Sequence, residues 1–349
     1  KVDLEESAML VTQQPVLKRF WYPVIPMSLL QEGPQSFTLL GQPLVLWLDK
    51  EGKPAAVEDL CCHRSAQLSK GMVCDGHIRC PYHGWEFNGS GTCVKVPQLT
   101  EDFIPRSYKV AAYLCQERYG YAWVALADPL LPIPEIPEAA DPSYRYIHEF
   151  YEPWACSGLR FMENSFDSAH PHFVHGHGKT HGDQSNPVPP PLDEVTELED
   201  GLLVRHWMEV INRELQKKNL NMEEEKTIRT NVRRWYMPFA RTLKIHYPNG
   251  LHHLIFSAAT PIDDGHSQLV QFVYRNDTEE QAKAADIIAY DRQVTEEDRE
   301  VLETTDYDTP LDIQAEQHMA SDKPGILMRR KLAALLKAHG EIEQRRAPV

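Results

Sequence analysis

The sequence predicts an α+β protein of two domains: an all-β domain first, then a domain of antiparallel sheet and helices. Three observations carry this. Short strand-like runs broken by polar turns fill residues 18–128, prolines punctuate residues 129–142, and the remainder mixes β-rich runs with long helical patterns. The 349 residues suffice for two cores of ordinary domain size, and 42% hydrophobic content suits a globular chain. The expected division is a lead-in at 1–17, a first domain at 18–128, a linker at 129–143 and a second domain at 144–349.

In chain order, Phe20-Trp21-Tyr22-Pro23-Val24 reads as an aromatic loop packed on the first sheet. Residues 37–49 alternate and end in Leu44-Val45-Leu46-Trp47-Leu48, a strand closed by the polar turn Lys50-Glu51-Gly52-Lys53. Trp85-Glu86-Phe87 runs into Asn88-Gly89-Ser90-Gly91, a hairpin-turn signal. Residues 108–115 and 120–126 read as further strands. Prolines at 129, 132, 134, 137 and 142 exclude a regular element there. In the second domain, strands are expected at 201–209, 242–247, 251–259 and 268–274, all rich in β-branched or aromatic residues. A charged stretch at 219–234 has helical composition, and two further helices are expected at 279–302 and 326–339. Residues 186–191 hold four prolines and read as an ordered loop or lid.

A formal charge of −15 argues against a phosphate-binding surface, so no nucleic-acid partner is expected. The seven cysteines, at 61, 62, 74, 80, 93, 115 and 156, form no disulfide framework. Residues 1–14 lack an apolar signal-peptide core, and the apolar stretch at 110–134 is interrupted by charges and prolines. The expectation is a cytoplasmic protein with no membrane span.

The chemistry concentrates in Cys61-Cys62-His63-Arg64 and Cys80-Pro81-Tyr82-His83-Gly84-Trp85. Each loop offers one thiolate and one imidazole. Such a set serves zinc, or a [2Fe–2S] cluster in which two histidines replace two thiolates on one iron. Zinc knuckles usually pair like ligands at wider spacing, whereas a mixed pair in each loop suits the cluster. These loops resemble those of the Rieske non-heme iron oxygenases, with Cys62 standing where that family usually has Pro. The resemblance implies Cys61, His63, Cys80 and His83 as ligands of a Rieske [2Fe–2S] cluster.

The second motif is Glu163-Asn164-Ser165-Phe166-Asp167-Ser168-Ala169-His170-Pro171-His172-Phe173-Val174-His175-Gly176-His177. A helix would align Glu163, Asp167 and His170 on one face, with Pro171 letting His175 turn back. Two imidazoles and a carboxylate make the facial triad of non-heme Fe(II) oxygenases. His170/His175 and His172/His177 share one spacing; the family's D-x2-H-x4-H pattern selects His170 and His175. The third ligand sits on a late acidic helix in that family, which points to Asp298, with Glu296, Glu297 and Asp291 as competitors. Asp167 is implied to bridge His83 of a neighbouring chain to His170, which requires a head-to-tail homo-oligomer, usually a trimer. Glu163 and Asn164 are candidates to support the ligands, and His181 reads as surface or lid.

The resemblance spans nearly the whole chain, and its helix-grip-like second domain would carry the mononuclear iron. The similarity is nearest to the monooxygenase branch with pheophorbide a oxygenase-like and dicamba demethylase-like proteins. It implies O2-dependent hydroxylation or oxidative demethylation of a small, largely apolar substrate. Electrons would come from NAD(P)H through a flavin reductase or ferredoxin. The alternatives are a cis-dihydroxylating dioxygenase, a Rieske electron carrier without catalysis, and a scaffold with a degenerate iron site. Phe161, Met162, Phe166, Phe173, Trp235 and Tyr236 are candidate pocket walls.

Overall fold

The computed structural model describes residues 9–99, 103–176, 193–212 and 214–345. The chain divides into two compact units: Pro15–Ile133 with Thr260–Asp264, and Lys1–Gln14 with Pro134–Ala259 and Gly265–Val349. The division falls inside the proline-rich segment. The return of Thr260–Asp264 to the first unit was not visible in the sequence. It rests on Thr260 Oγ1 donating to the Pro23 carbonyl (2.7 Å) and Leu40 N–H donating to that of Pro261 (2.9 Å).

The first unit contains β1 (Tyr22–Pro26), α1 (Met27–Leu30), β2 (Gln35–Leu39), β3 (Gln42–Leu48), β4 (Pro54–Glu58), β5 (Met72–Cys74), β6 (His77–Arg79), β7 (Glu86–Phe87), β8 (Cys93–Lys95), β9 (Ala112–Arg118) and β10 (Tyr121–Ala125). They form a six-stranded sheet, β1-β10-β9-β4-β3-β2, and a four-stranded one, β5-β6-β7-β8. The aromatic segment expected as a loop is strand β1. It lies at a sheet edge, where prolines lacking N–H donors are tolerated, and its register slips between Pro23 and Ile25. The Asn88–Gly91 turn joins β7 to β8 as read: the Asn88 carboxamide oxygen accepts from the N–H groups of Ser90 and Thr92, and Gly91 takes φ +76°. Between the sheets Val45, Trp47, Ile78, Trp85 and Phe87 pack in one apolar cluster with Cys61 and Cys80.

The second unit contains β11 (Arg145–Trp154), α2 (Gly158–Phe166), α3 (Pro171–Val174), β12 (Glu194–Leu198), β13 (Gly201–Ile211), α4 (Glu214–Leu220), β14 (Lys226–Tyr236), β15 (Ala240–His246), β16 (His252–Pro261), β17 (Ser267–Arg275), α5 (Ala284–Leu302) and α6 (Lys323–Ala338). Seven strands form one antiparallel sheet, ordered β11-β17-β16-β15-β14-β13-β12. The stretch expected as helix at 219–234 holds only the end of α4 and then becomes β14. Thr227, Arg229, Asn231, Arg233 and Trp235 alternate inward and buried or nearly so, a period of two that charge composition concealed.

Cross-strand register then builds one concave face. Asn231 stands opposite His206 and Ile245, with His253 next; Arg233 stands opposite Leu243, with Ile255 next; Trp235 stands opposite Arg241, with Ser257 next. Across from that face, α5 presents Tyr290, Asp291, Val294, Thr295 and Asp298, a spacing that keeps all five on one side of a helix.

Candidate metal centres

The Cys/His loops share one backbone design. The N–H of Cys61 donates to the Ala66 carbonyl and that of Ser65 to the Cys61 carbonyl, both at 2.9 Å. The same offsets recur in the second loop, where Cys80 N–H donates to Trp85 (2.8 Å) and Gly84 N–H to Cys80 (3.1 Å). The fifth residue of each loop takes a left-handed conformation, Ser65 at φ 54° and Gly84 at φ 75°. The first loop is braced by Asp59, which accepts from the N–H and Oγ of Ser69. Gln98 clamps the second by donating to the His83 carbonyl (2.8 Å) while accepting from Trp85 Nε1 (3.2 Å).

Cys61 and Cys80 are buried, and the His63 and His83 rings lie 4.5 Å apart. His63 stacks on Trp85 at 4.6 Å. Burial, with a hydrogen bond between the two thiols, pushes Cys61 up to about 12. In each imidazole the buried nitrogen without a partner is Nδ1. Two buried thiols, in loops whose two imidazoles lie side by side with Nδ1 unpartnered among the described residues, fit a [2Fe–2S] centre with mixed ligation. Cys62 is exposed beside them.

The histidine motif folds differently from the continuous helix expected. Helix α2 stops at Phe166, and Asp167 takes an extended conformation at φ −79°, ψ 133°. The reason is local: Asp167 turns its carboxylate onto the N–H groups of Ala169 (2.8 Å) and His170 (3.0 Å), and Pro171 then opens α3. Glu163, Asp167 and His170 therefore share no helical face. Glu163 pairs instead with Arg160 and Arg329. Asn164 hydrogen-bonds Asp298.

His170, His175 and Asp298 converge. Asp298 Oδ1 lies 3.5 Å from His170 Nε2 and 3.3 Å from His175 Nε2, and all three donor atoms fall within 4.8 Å of one another. Carboxylates stand behind both rings: His175 Nδ1 is hydrogen-bonded to Glu297 Oε2 at 2.9 Å, and His170 Nδ1 lies 3.4 Å from Asp167 Oδ2 without a hydrogen bond. This leaves both Nε2 lone pairs to face Asp298, whose buried Oδ1 has no hydrogen-bond partner. Burial pushes Asp298 up, but the imidazoles of His175 and His170 beside it outweigh that and hold the carboxyl below its usual value. Such a two-histidine, one-carboxylate set fits a mononuclear iron with open positions.

The competitors have other roles. Glu297 tethers His175, and Glu296 lies near Arg292 and Arg299. Asp291 belongs to a second buried group with Glu149 and His253. There Arg275 Nη1 approaches His253 Nδ1 (3.3 Å), while His253 Nε2 lies 3.1 Å from Asp291 Oδ2. Burial and the neighbouring Asp291 raise Glu149 well above the usual carboxylate range. His172 stays outside the triad; His177, His181 and the 186–191 segment lie outside the described residues.

A cavity of about 170 Å3 adjoins the triad, lined by Phe161 but by none of the other five expected wall residues. Met162, Phe166 and Trp235 are buried, Phe173 is 64% exposed, and the Tyr236 hydroxyl reaches the Glu135 carbonyl. What the sequence reading missed was the polar lining, with Arg229, Asn231, Arg233 and Arg241 foremost. Alternation along β14 was the available signal.

Glu297→Gln removes the anionic acceptor from His175 while preserving its size. Iron retained after chelator dialysis is expected to fall about 10- to 100-fold in affinity, with cluster absorbance unchanged as the internal control. Wild-type retention would remove Glu297 from this role.

Two family models match the chain: the Rieske [2Fe-2S] domain at residues 20–113 and the vanillate O-demethylase oxygenase C-terminal domain at residues 154–338. Methylxanthine N1-demethylase NdmA of Pseudomonas putida is 30% identical, over 97% of this chain and 95% of that protein. The structure of NdmA with caffeine from strain CBB5 superposes with a TM-score of 0.82 at 27% identity, covering 93% of this chain and 92% of that one. The oxygenase component of dicamba O-demethylase from Stenotrophomonas maltophilia is 35% identical over 46% of this chain and 48% of its own length. Among the described residues no helix is long and apolar enough to cross a membrane. With both family models matched and a relative 30% identical over nearly the whole chain, the chain belongs to the Rieske non-heme iron oxygenases, as a terminal oxygenase component of their monooxygenase branch.

Proposed function

We propose that this enzyme removes a methyl group from nitrogen or oxygen of a small organic substrate by hydroxylating that methyl carbon. The observation that carries the reading is the convergence of His170 Nε2, His175 Nε2 and Asp298 Oδ1 beside the cavity. Cys61, His63, Cys80 and His83 would hold the [2Fe–2S] cluster, and His170, His175 and Asp298 the mononuclear iron. When bound, these groups supply single-electron storage and the activation of O2.

The protein's part is placement. Glu297 fixes the His175 ring, and Asp167 holds the His170 backbone N–H, so that both Nε2 atoms point at one locus. Phe161, Leu243, Ile245, Ile255 and Val294 supply apolar walls that limit water beside it. In the balanced reaction, O2, two electrons and two protons convert the methyl carbon to a hydroxymethyl carbon and water. The heteroatom–carbon bond then breaks, releasing formaldehyde and the demethylated product. The electrons would come from NAD(P)H through a reductase or ferredoxin. Asp167 would connect His170 to His83 of the partner subunit in a head-to-tail trimer, and the enzyme would work in the cytoplasm.

Anaerobically purified protein is expected to carry about three irons and two acid-labile sulfides per chain, with a Rieske-type EPR signal on reduction. Aromatic methyl ethers and N-methyl heterocycles should then be screened for formaldehyde release under O2. Two irons that stay at two after Fe(II) is added would end the oxygenase reading and leave an electron carrier.

A further inference from the structure

Three guanidinium groups line the cavity beside the triad, and their surroundings differ. Arg229 donates to Asn212 Oδ1 (2.8 Å) and Thr227 Oγ1 (3.3 Å) and lies over the Tyr247 ring. Arg233 is paired with buried Asp193 at 2.9 Å. Arg241 has no such arrangement. Its Nε and Nη1 are buried without a hydrogen-bond acceptor among the described residues, and its guanidinium carbon lies 6.0 Å from the centre of the Phe161 ring.

A half-buried guanidinium with two buried, unsatisfied donors is costly, because its desolvation is only partly offset. The charged groups felt by Arg241 are Asp298, already committed to His170 and His175, and Arg233, which repels it. Burial pushes Arg241 down to about 10, so the side chain remains a cation at neutral pH. The position is fixed by the fold: Arg241 sits in β15 directly between Trp235 of β14 and Ser257 of β16.

We propose that Arg241 receives a carboxylate of the substrate, so that this oxygenase acts on a methyl-bearing organic acid in preference to its neutral counterpart. The inference rests on the demethylase reading above for its substrate frame, but it concerns binding and is separable from turnover. A neutral carbonyl would satisfy the N–H groups yet leave the charge unbalanced; a carboxylate does both.

The test titrates the iron-loaded enzyme by calorimetry, without O2 or electron donor, using 4-methoxybenzoate and its neutral isostere 4-methoxybenzamide. The acid is expected to bind about 10- to 100-fold more tightly, the range for a hydrogen bond to a charged group. Arg241→Gln should abolish the preference while keeping the iron content and cluster absorbance of the wild type. Equal affinity for both probes, or no saturation by the acid at millimolar concentration, overturns the proposal. A preference that persists in Arg241→Gln does so as well, and so does loss of iron rather than of preference, which would make Arg241 a partner of Asp298. If Arg241→Gln does not fold, the wild-type comparison of acid and amide still decides. Were formaldehyde release absent but the acid preference present, the demethylase reading alone would fall.

Discussion

His170→Ala is expected to reduce product formation to the no-enzyme level while leaving the Rieske-type EPR signal at full intensity. His170 supplies one of the two imidazole nitrogens that face Asp298, at 3.5 Å, and alanine offers no ligand atom. Water can fill the vacated position, but it leaves one imidazole and one carboxylate to retain the metal, fewer protein ligands than an open three-ligand site needs. The Cys/His loops lie in the other folding unit, so their absorbance reports whether the variant is intact. The measurement is iron per chain, EPR of the reduced protein and formaldehyde yield on one sample. Loss of about one iron, retained cluster signal and no product would support His170 as a ligand. Undiminished turnover would remove it from the metal site.

Asp167→Asn tests a different property. Asp167 accepts from the N–H groups of Ala169 and His170 through separate oxygens and stands 3.4 Å from His170 Nδ1. Asparagine keeps one acceptor and the size but loses the charge and the second acceptor. With Fe(II) supplied in excess both metals should stay in place, because none of the converging donor atoms is changed and a weakened site still fills. Transfer from the reduced cluster to the mononuclear site is expected to slow about 10- to 100-fold, the usual cost of a lost outer partner to a ligating histidine. Stopped-flow reoxidation of the cluster in the presence of substrate and O2 measures this directly. A wild-type rate would dismiss the bridging role and, with it, the main support for a head-to-tail trimer.

The parts of this protein legible in the sequence were those whose chemistry depends on spacing within a loop. Cys61 and His63, like Cys80 and His83, are brought together by turns of a few residues. Local hydrogen bonds repeat in both loops, so residue type and interval were sufficient. The Asn88–Gly91 turn was readable for the same reason. Strand β1 was obscured by its prolines, which an edge strand accommodates. The end of α2 was missed because a carboxylate at Asp167 competes with helix propagation, a choice that depends on which N–H groups it can reach.

Asp298 shows where sequence stops deciding. The acidic helix offered several carboxylates of equal chemistry, and only the family resemblance favoured Asp298 over Glu296, Glu297 and Asp291. Packing did: one turns to both Nε2 atoms, its neighbour holds His175 from behind, and Asp291 joins His253 seven residues earlier. The cavity wall is a further case. Charge composition favoured a helix at 219–234, yet burial of alternate polar residues makes it a strand that delivers Arg229, Asn231 and Arg233 inward. The sequence by itself determined the order of the two domains and the paired Cys/His loops, because these depend on residue identity and short intervals. Only the tertiary structure decided which carboxylate completes the triad, which side chains face the cavity and which guanidinium is left without a partner. Those depend on sheet register and helix rotation, which set contacts between residues more than a hundred positions apart, as between His175 and Glu297.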